Sequence, residues 1–166
     1  MSDVVTLSLR AGAAGQTYRA IIDLALSYCD QALLVTRTSI ELNSSALAIL
    51  EQLQPHLVRK VTNATEWPGT TLHRSDLFLD NTASVYYFRL CSQSADILKN
   101  SVQELYSWRQ PEYPEDLCFI RADNSPWLVS IAHEEDAYFT LTAEEQEALA
   151  RAVPDLDFVC REQSDS

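Results

Sequence analysis

The chain has 166 residues, of which 24 are acidic and 12 are basic, and its formal net charge is −12. This charge excludes a general nucleic-acid-binding protein, because a phosphate backbone is held by a basic face. Hydrophobic residues make up 46% of the chain and only three residues are glycine, which is typical of a packed domain and not of a disordered acidic tail. We therefore expect one domain that spans residues 1–166.

The negative charge is concentrated in the last third of the chain. Residues 1–111 carry 10 acidic and 9 basic side chains, whereas residues 112–166 carry 14 acidic side chains and three arginines. The net charges of the two parts are −1 and −11. An acidic C-terminal third of this kind favours a basic partner and no nucleic acid.

No segment of the sequence marks the protein for a membrane or for export. The apolar runs are far shorter than the roughly 18 residues of a membrane-spanning helix, and the first residues lack the pattern of a signal peptide. We expect a cytoplasmic protein without a membrane partner. The four cysteines contain no Cys-x-x-Cys pair, so we predict buried thiols and no zinc site.

Strands and helices alternate in the first 110 residues. The predicted elements are a strand at 4–9, a helix at 18–29, a strand at 32–36, a helix from Asn43 or Ser44 to Leu53, an edge strand at 57–62, a strand at 85–90 and a helix at 94–108. The first three elements predict a crossover unit. Residues 57–82 show little pattern beyond the edge strand and the turn composition of residues 66–70.

Consecutive short strands replace this alternation after Pro114. The predicted elements are strands at 117–121, 127–132 and 137–141, a turn at 122–126 and a final helix at 143–152. Thr142 and Glu145 have the spacing of a capping box at the start of that helix. We expect residues 162–166 to be frayed.

The order of the elements predicts a fold class between α/β and α+β. We expect a single domain with a mixed β-sheet, helices packed on that sheet, a C-terminal antiparallel meander and a final helix. The sequence leaves the strand order and the oligomeric state open.

The densest cluster of titratable groups is His133-Glu134-Glu135-Asp136. An imidazole beside carboxylates suits a general base or a metal ligand. However, consecutive residues at a turn point in different directions, and the His-Glu-x-x-His arrangement of zinc sites is absent. We therefore predict a solvated or partner-facing turn, with no catalytic residue, metal ligand or cofactor.

Sequence motifs for nucleophilic or phosphate chemistry are also missing. The chain has no Gly-x-Ser-x-Gly elbow, and its Gly12-Ala13-Ala14-Gly15 turn lacks the lysine and the full glycine pattern of a phosphate loop. A Cys–His pair among four cysteines and three histidines stays open, because no spacing selects one.

Acidic residues of the last third are the predicted partner-binding residues. They are Glu134, Glu135, Asp136, Glu144, Glu145 and Glu147. Because the turn and the first turn of the last helix are close in sequence, we expect one negative surface that docks a basic partner. The alternative is a solubilising face, with Glu144 and Glu145 favoured by the helix dipole.

Four segments resemble a known group of proteins. They are Trp67-Pro68-Gly69-Thr70, Trp108-Arg109-Gln110-Pro111, residues 114–119, and residues 127–134 continuing to Ala137-Tyr138. In these segments the chain resembles small, poorly characterised bacterial proteins that sometimes carry sporulation-protein labels. It is similar in style to the immunity proteins that accompany secreted bacterial toxins. The resemblance covers about residues 63–145 and implies no catalytic residue.

The resemblance and the charge together predict a non-enzymatic acidic binding protein. Its expected role is that of an immunity protein, which neutralises a basic bacterial toxin domain by blocking it. The alternatives are a housekeeping interaction protein without a toxin partner and a small enzyme that uses His133 and Glu134.

Overall fold

The computed structural model of the protein describes residues 3–72 and 82–160. The strands are β1 (Val4–Leu9), β2 (Gln31–Arg37), β3 (Leu57–Ala64), β4 (Glu66–Trp67), β5 (Thr70–Thr71), β6 (Ala83–Arg89), β7 (Glu115–Ile120), β8 (Pro126–Ile131), β9 (Asp136–Thr142) and β10 (Phe158–Cys160). The helices are α1 (Gln16–Tyr28), α2 (Ser44–Leu53), α3 (Ser92–Ser101) and α4 (Ala143–Ala152). Short 3-10 turns cover Gln54–His56, Leu105–Ser107 and Ala132–Glu134. The predicted frayed end, residues 162–166, lies outside the described residues.

Eight strands form one sheet in the order β10-β1-β9-β8-β7-β2-β6-β3. Every pair of neighbouring strands in it is antiparallel. The predicted α+β architecture is confirmed. The expected mixture of parallel and antiparallel strands is wrong, because the described strands of the sheet are all antiparallel to their neighbours. In the predicted crossover unit, β1 and β2 run in the same direction but are not neighbours, because β7, β8 and β9 lie between them.

The C-terminal meander and the final helix are where the sequence predicts them. β7, β8 and β9 are neighbours in the sheet, and α4 begins after Thr142 with the predicted capping box. The predicted helix over 94–108 is shorter in the structure and ends at Ser101. The chain extends there because the backbone of Leu105 bonds to Ala13 and Glu104 pairs with Ala14. The sequence does not predict β10, since three residues are too short to show a strand period.

The helices cover one face of the sheet as a single layer. α1 packs between α3 and α4, and α2 packs on the other side of α3. Ile22, Leu34 and Leu98 belong to the buried core between this layer and the sheet. On the opposite face, Leu33 and Val35 belong to a second buried cluster. β2 is therefore buried on both faces, as predicted for an interior strand.

The hairpin of β4 and β5 covers the second face. Trp67 is buried there against the cluster that contains Val129. Gly69 has φ +87°, and a Cβ at this position would come within 2.7 Å of Val129 Cγ1. Only glycine fits this backbone and this close approach, so the turn residues predicted at 66–70 hold the hairpin flat on the sheet.

Among the residues that the structure describes, no helix has both the length and the apolar character needed to cross a membrane. Cys29 and Cys118 are buried, in agreement with the predicted role of thiols as small apolar side chains. Cys91 differs from them, because it is partly exposed.

Candidate functional site

A cleft lies at the edge of the sheet that is formed by strand ends, at the point where β2 ends and β7 begins. It has a volume of about 460 Å³ and is open to solvent. Its walls are Arg37 at the end of β2, the segment 69–72 of the hairpin, and His133 and Glu134 of the 3-10 turn after β8. Three separate parts of the chain therefore meet at this edge.

Asp116 connects these parts through its buried carboxylate. The side chain is fully buried, and the backbone has φ +58°, a conformation that aspartate tolerates better than most residues. Oδ1 accepts a hydrogen bond from the backbone N–H of Ala132 at 2.9 Å, and Oδ2 accepts one from Trp67 Nε1 at 3.1 Å. Burial raises the pKa of Asp116, and these two hydrogen bonds offset only part of that effect.

Glu115 is held by an ion pair with Arg37. Arg37 Nε donates to Glu115 Oε2 at 2.9 Å, and the carboxylate side chain is 5% exposed. The guanidinium also lies 5.6 Å from the centre of the Trp67 ring. Burial raises the pKa of Glu115, whereas the charge of Arg37 lowers it in part. The amide of Gln110 fixes the backbone of Arg37 by accepting from its N–H at 2.6 Å.

His133 completes a cluster of three possible ligands. One ligand atom each of Glu115, Asp116 and His133 lies within 4.8 Å of the other two, and His133 is exposed while both carboxylates are buried. His133 Nε2 is also 3.8 Å from Glu134 Oε1, which is mainly exposed. This arrangement suits proton transfer between imidazole and carboxylate, or a divalent cation with oxygen and nitrogen ligands.

The sequence did not select Glu115 and Asp116 as site residues. They are about 17 positions from His133 and precede the predicted strand at 117–121, so the sequence indicates a polar loop at these positions. The observed β7 begins earlier, at Glu115. A signal was present in the two consecutive carboxylates at the start of an apolar run. Their burial depends on Arg37 and Trp67, whose positions follow only from the folded sheet.

The predicted acidic turn borders this cleft. Glu134 and Glu135 are exposed, and Asp136 is half-buried at the start of β9. Burial, and after it the charges of Asp136 and Glu135, raise the pKa of the Tyr106 phenol to about 12. We call Glu134, Glu135 and Asp136 the acidic turn from here on.

The other three predicted partner-binding residues lie elsewhere. Glu144, Glu145 and Glu147 follow β9, and the acidic turn precedes it, so a strand of seven residues, about 20 Å long, separates them. The expected single negative surface is therefore divided in two by the length of β9. Glu144 and Glu147 are exposed, whereas Glu145 is buried against Arg121 with Oε1 2.6 Å from Nη2. This ion pair removes Glu145 from any docking surface.

Comparison with known proteins adds no relative. No protein-family model matches the sequence, and neither the curated proteins nor the solved structures contain a significant match.

Proposed function

We propose that the protein binds a basic protein partner at the acidic turn and the adjoining cleft. In the more specific form of the proposal, it is an immunity protein that neutralises a basic toxin domain by covering its active site. The observation that carries the proposal is the charge at this edge of the sheet. The acidic turn contributes three carboxylates, and Glu134 lines the cleft beside Arg37 and His133. Beneath them, Glu115 and Asp116 are buried, and Glu115 is paired with Arg37.

The depth of these carboxylates supports a partner that reaches into the cleft. Glu134 and Glu135 are exposed and are positioned for the first encounter, where charge accelerates association. Glu115 is buried and paired with Arg37, so a lysine or arginine of the partner would have to displace Arg37 to reach it and would be desolvated there. Such buried charge pairs slow dissociation, whereas exposed pairs mainly change the association rate.

The chemistry of toxins that cut nucleic acid supports the proposed immunity role. An enzyme that cuts nucleic acid needs a basic cleft for the phosphate backbone. A rigid acidic edge competes for that cleft by occupying it. The antiparallel sheet and the buried Asp116 hydrogen bonds keep the loops of this edge in fixed positions, which lowers the entropic cost of binding.

The test takes as its probe a basic protein encoded by a neighbouring gene, purified with its catalytic residue inactivated, and a polyarginine peptide serves as a general cation. A gene neighbourhood that encodes no basic toxin domain would count against the immunity role. The double variant Glu134→Lys/Glu135→Lys reverses the acidic turn and should weaken binding of the encoded protein at least tenfold. It should also reduce the dependence of the affinity on salt, because fewer ion pairs form.

A matched control separates the acidic turn from net charge. Glu144→Lys/Glu147→Lys changes the charge by the same amount at the other end of β9, on exposed positions. It should leave binding of the encoded protein within about twofold. Equal losses in both double variants, or no loss in the first, would overturn the docking proposal. Binding without protection of cells from the active toxin would overturn the immunity role alone.

A second candidate function is an acid–base or divalent-cation site at His133. The observation that favours it is the convergence of His133 with Glu115 and Asp116 within 4.8 Å. The cluster of His133, Glu115 and Asp116 is a better candidate than the predicted pair of His133 and Glu134. Glu134 is mainly exposed, whereas Glu115 and Asp116 are buried. A cation at this position would have to compete with the ion pair of Arg37 and Glu115.

Calorimetric titration with Zn²⁺ and Mn²⁺ tests this candidate. Binding with one site per chain, lost in His133→Ala and strengthened in Arg37→Met, is the expected result. Heats that are the same in the wild type and in His133→Ala would reject the site.

A further inference from the structure

A cysteine and a histidine lie together at the opposite edge of the sheet from the cleft. Cys91 follows β6 and is the N-cap residue of α3, and His56 ends the 3-10 turn that follows α2. Cys91 Sγ is 3.6 Å from His56 Nδ1, which is hydrogen-bonding distance for sulfur. β6 begins opposite Arg37 at the cleft and runs away from it, so the pair lies a strand length from Arg37.

The surroundings of Cys91 favour the thiolate. The N-terminus of the ten-residue helix α3 directs its backbone N–H groups at the sulfur, and Ser94 forms a capping box with Cys91. Partial burial acts to raise the pKa of the thiol. Hydrogen bonds from Ser94 and Gln93 and the charge of Arg89 outweigh it, so the pKa of Cys91 lies below its ordinary value.

The two buried cysteines provide an internal contrast. Burial raises the pKa of the Cys118 thiol to about 12, and it also raises the pKa of Cys29. Both side chains are buried, whereas Cys91 and His56 are partly exposed. Within the part of the chain whose side chains the structure describes, Cys91 alone combines solvent access, a neighbouring base and a lowered pKa.

We propose that Cys91 and His56 form a nucleophilic pair, a modification site at which a hydroperoxide oxidises Cys91 to a sulfenic acid. The thiolate attacks one peroxide oxygen, so an S–O bond forms as the O–O bond breaks. The sulfur loses two electrons and the peroxide gains them. His56 Nδ1 takes the proton of the thiol as the thiolate forms and passes it to the departing oxygen, which leaves as water when the peroxide is hydrogen peroxide. This inference does not depend on the proposed docking function.

Alkylation by iodoacetamide measures the thiolate without any oxidant. The intact protein is treated at several pH values, and peptide mapping by mass spectrometry follows each cysteine separately. Cys91 should react much faster than Cys29 and Cys118, and the midpoint of its rate profile should lie below that of N-acetylcysteine in the same buffer. Slower alkylation than N-acetylcysteine at pH 7, or the same midpoint, would overturn the proposal.

Two variants then test the role of the histidine. His56→Asn should lower the alkylation rate at pH 7 several-fold and move the midpoint upward, since the group that takes the proton of the thiol is lost. Gln52→Asn, at an exposed position of α2, should do neither. An unchanged profile in His56→Asn, in a sample with the wild-type circular dichroism spectrum, would reject His56 as the partner.

The oxidation step has its own measurement. Hydrogen peroxide followed by dimedone should label Cys91 in the wild type, and the label should be several-fold weaker in His56→Asn. Dimedone labelling spread equally over the cysteines, or absent from Cys91, would overturn the sulfenic acid assignment.

Discussion

Arg121 and Glu145 form a two-pronged ion pair, with Nη2 2.6 Å from Oε1 and Nε 3.1 Å from Oε2. Their side chains are 14% and 7% exposed. The pair joins the end of β7 to the first turn of α4, and Glu145 also closes the capping box with Thr142. A residue that sequence reasoning assigns to partner binding therefore holds the last helix on the meander.

Removal of the Glu145 carboxylate should destabilise the fold. Glu145→Ala leaves the partly buried Arg121 guanidinium without its carboxylate, although its hydrogen bonds to the carbonyls of Pro126 and Thr140 remain. It also removes one half of the helix cap, so we expect a loss of about 3 kcal/mol in the free energy of unfolding. Glu147→Ala, an exposed change on the same helix, should stay within about 0.5 kcal/mol of wild type. Urea unfolding of both variants checks this. Similar losses at the two positions would contradict a structural role for the pair.

The same ion pair predicts a pH dependence. Burial acts to raise the pKa of Glu145, but the hydrogen bonds from Arg121 and Thr142 and the charge of Arg121 outweigh it, and the pKa lies below its ordinary value. The stabilisation is therefore complete above the unfolded-state pKa of about 4.3 and is lost as the pH falls through the lower folded-state pKa. The stability difference between wild type and Glu145→Gln should be constant near neutral pH and should shrink in acid. A difference that grows in acid would contradict this sign.

The sequence predicts local structure better than it predicts the site. Residues 137–141 and 143–152 are predicted almost at their observed bounds, because alternation and a capping box depend only on neighbours in the chain. The cleft depends on the positions of β2, β7 and the hairpin, which come from distant segments. The sequence singles out His133 but not Glu115 and Asp116, which lie beside it in the fold.

The acidic residues of the last third also lie where the sequence alone does not predict. Glu135 and Glu144 are nine positions apart, and this proximity suggested one surface. The intervening residues form β9, which is extended, so closeness in sequence becomes separation in space. The sequence also does not show that Glu145 is buried and Glu147 is exposed, because the burial of Glu145 depends on Arg121 at the end of β7.

Replacement of Gly69 by alanine should destabilise the fold. In Gly69→Ala, the positive φ and the contact of the new Cβ with Val129 act together, and we expect a loss of about 2–4 kcal/mol. Gly15→Ala is the comparison, since Gly15 also has positive φ but has no atom within 4 Å of an added Cβ. Thermal unfolding should place Gly69→Ala below Gly15→Ala. The reverse order would show that the hairpin does not press on β8.

Asp116→Asn tests the hydrogen bonds beneath the cleft. Asparagine tolerates the positive φ of this position, so the change isolates the carboxylate. The NH2 group of the asparagine must then face one of the two donors, either the N–H of Ala132 or Trp67 Nε1. We expect a loss of about 1–3 kcal/mol in the free energy of unfolding. The indole N–H resonance of Trp67 should move in the NMR spectrum. In Asp155→Asn, at an exposed position, both stability and that resonance should stay unchanged.

The pH dependence of this variant has the opposite sign to that of Glu145. Burial raises the pKa of Asp116, so the folded state takes up a proton more readily than the unfolded chain. Wild type should therefore gain stability relative to Asp116→Asn as the pH falls through the raised folded-state pKa, and the gain should level off below about 3.9, the ordinary pKa of aspartate. Unfolding curves of both proteins between pH 7 and acid measure this difference. If wild type instead loses stability relative to the variant over this range, the hydrogen bonds to Trp67 and Ala132 outweigh burial, and Asp116 is a stabilised anion.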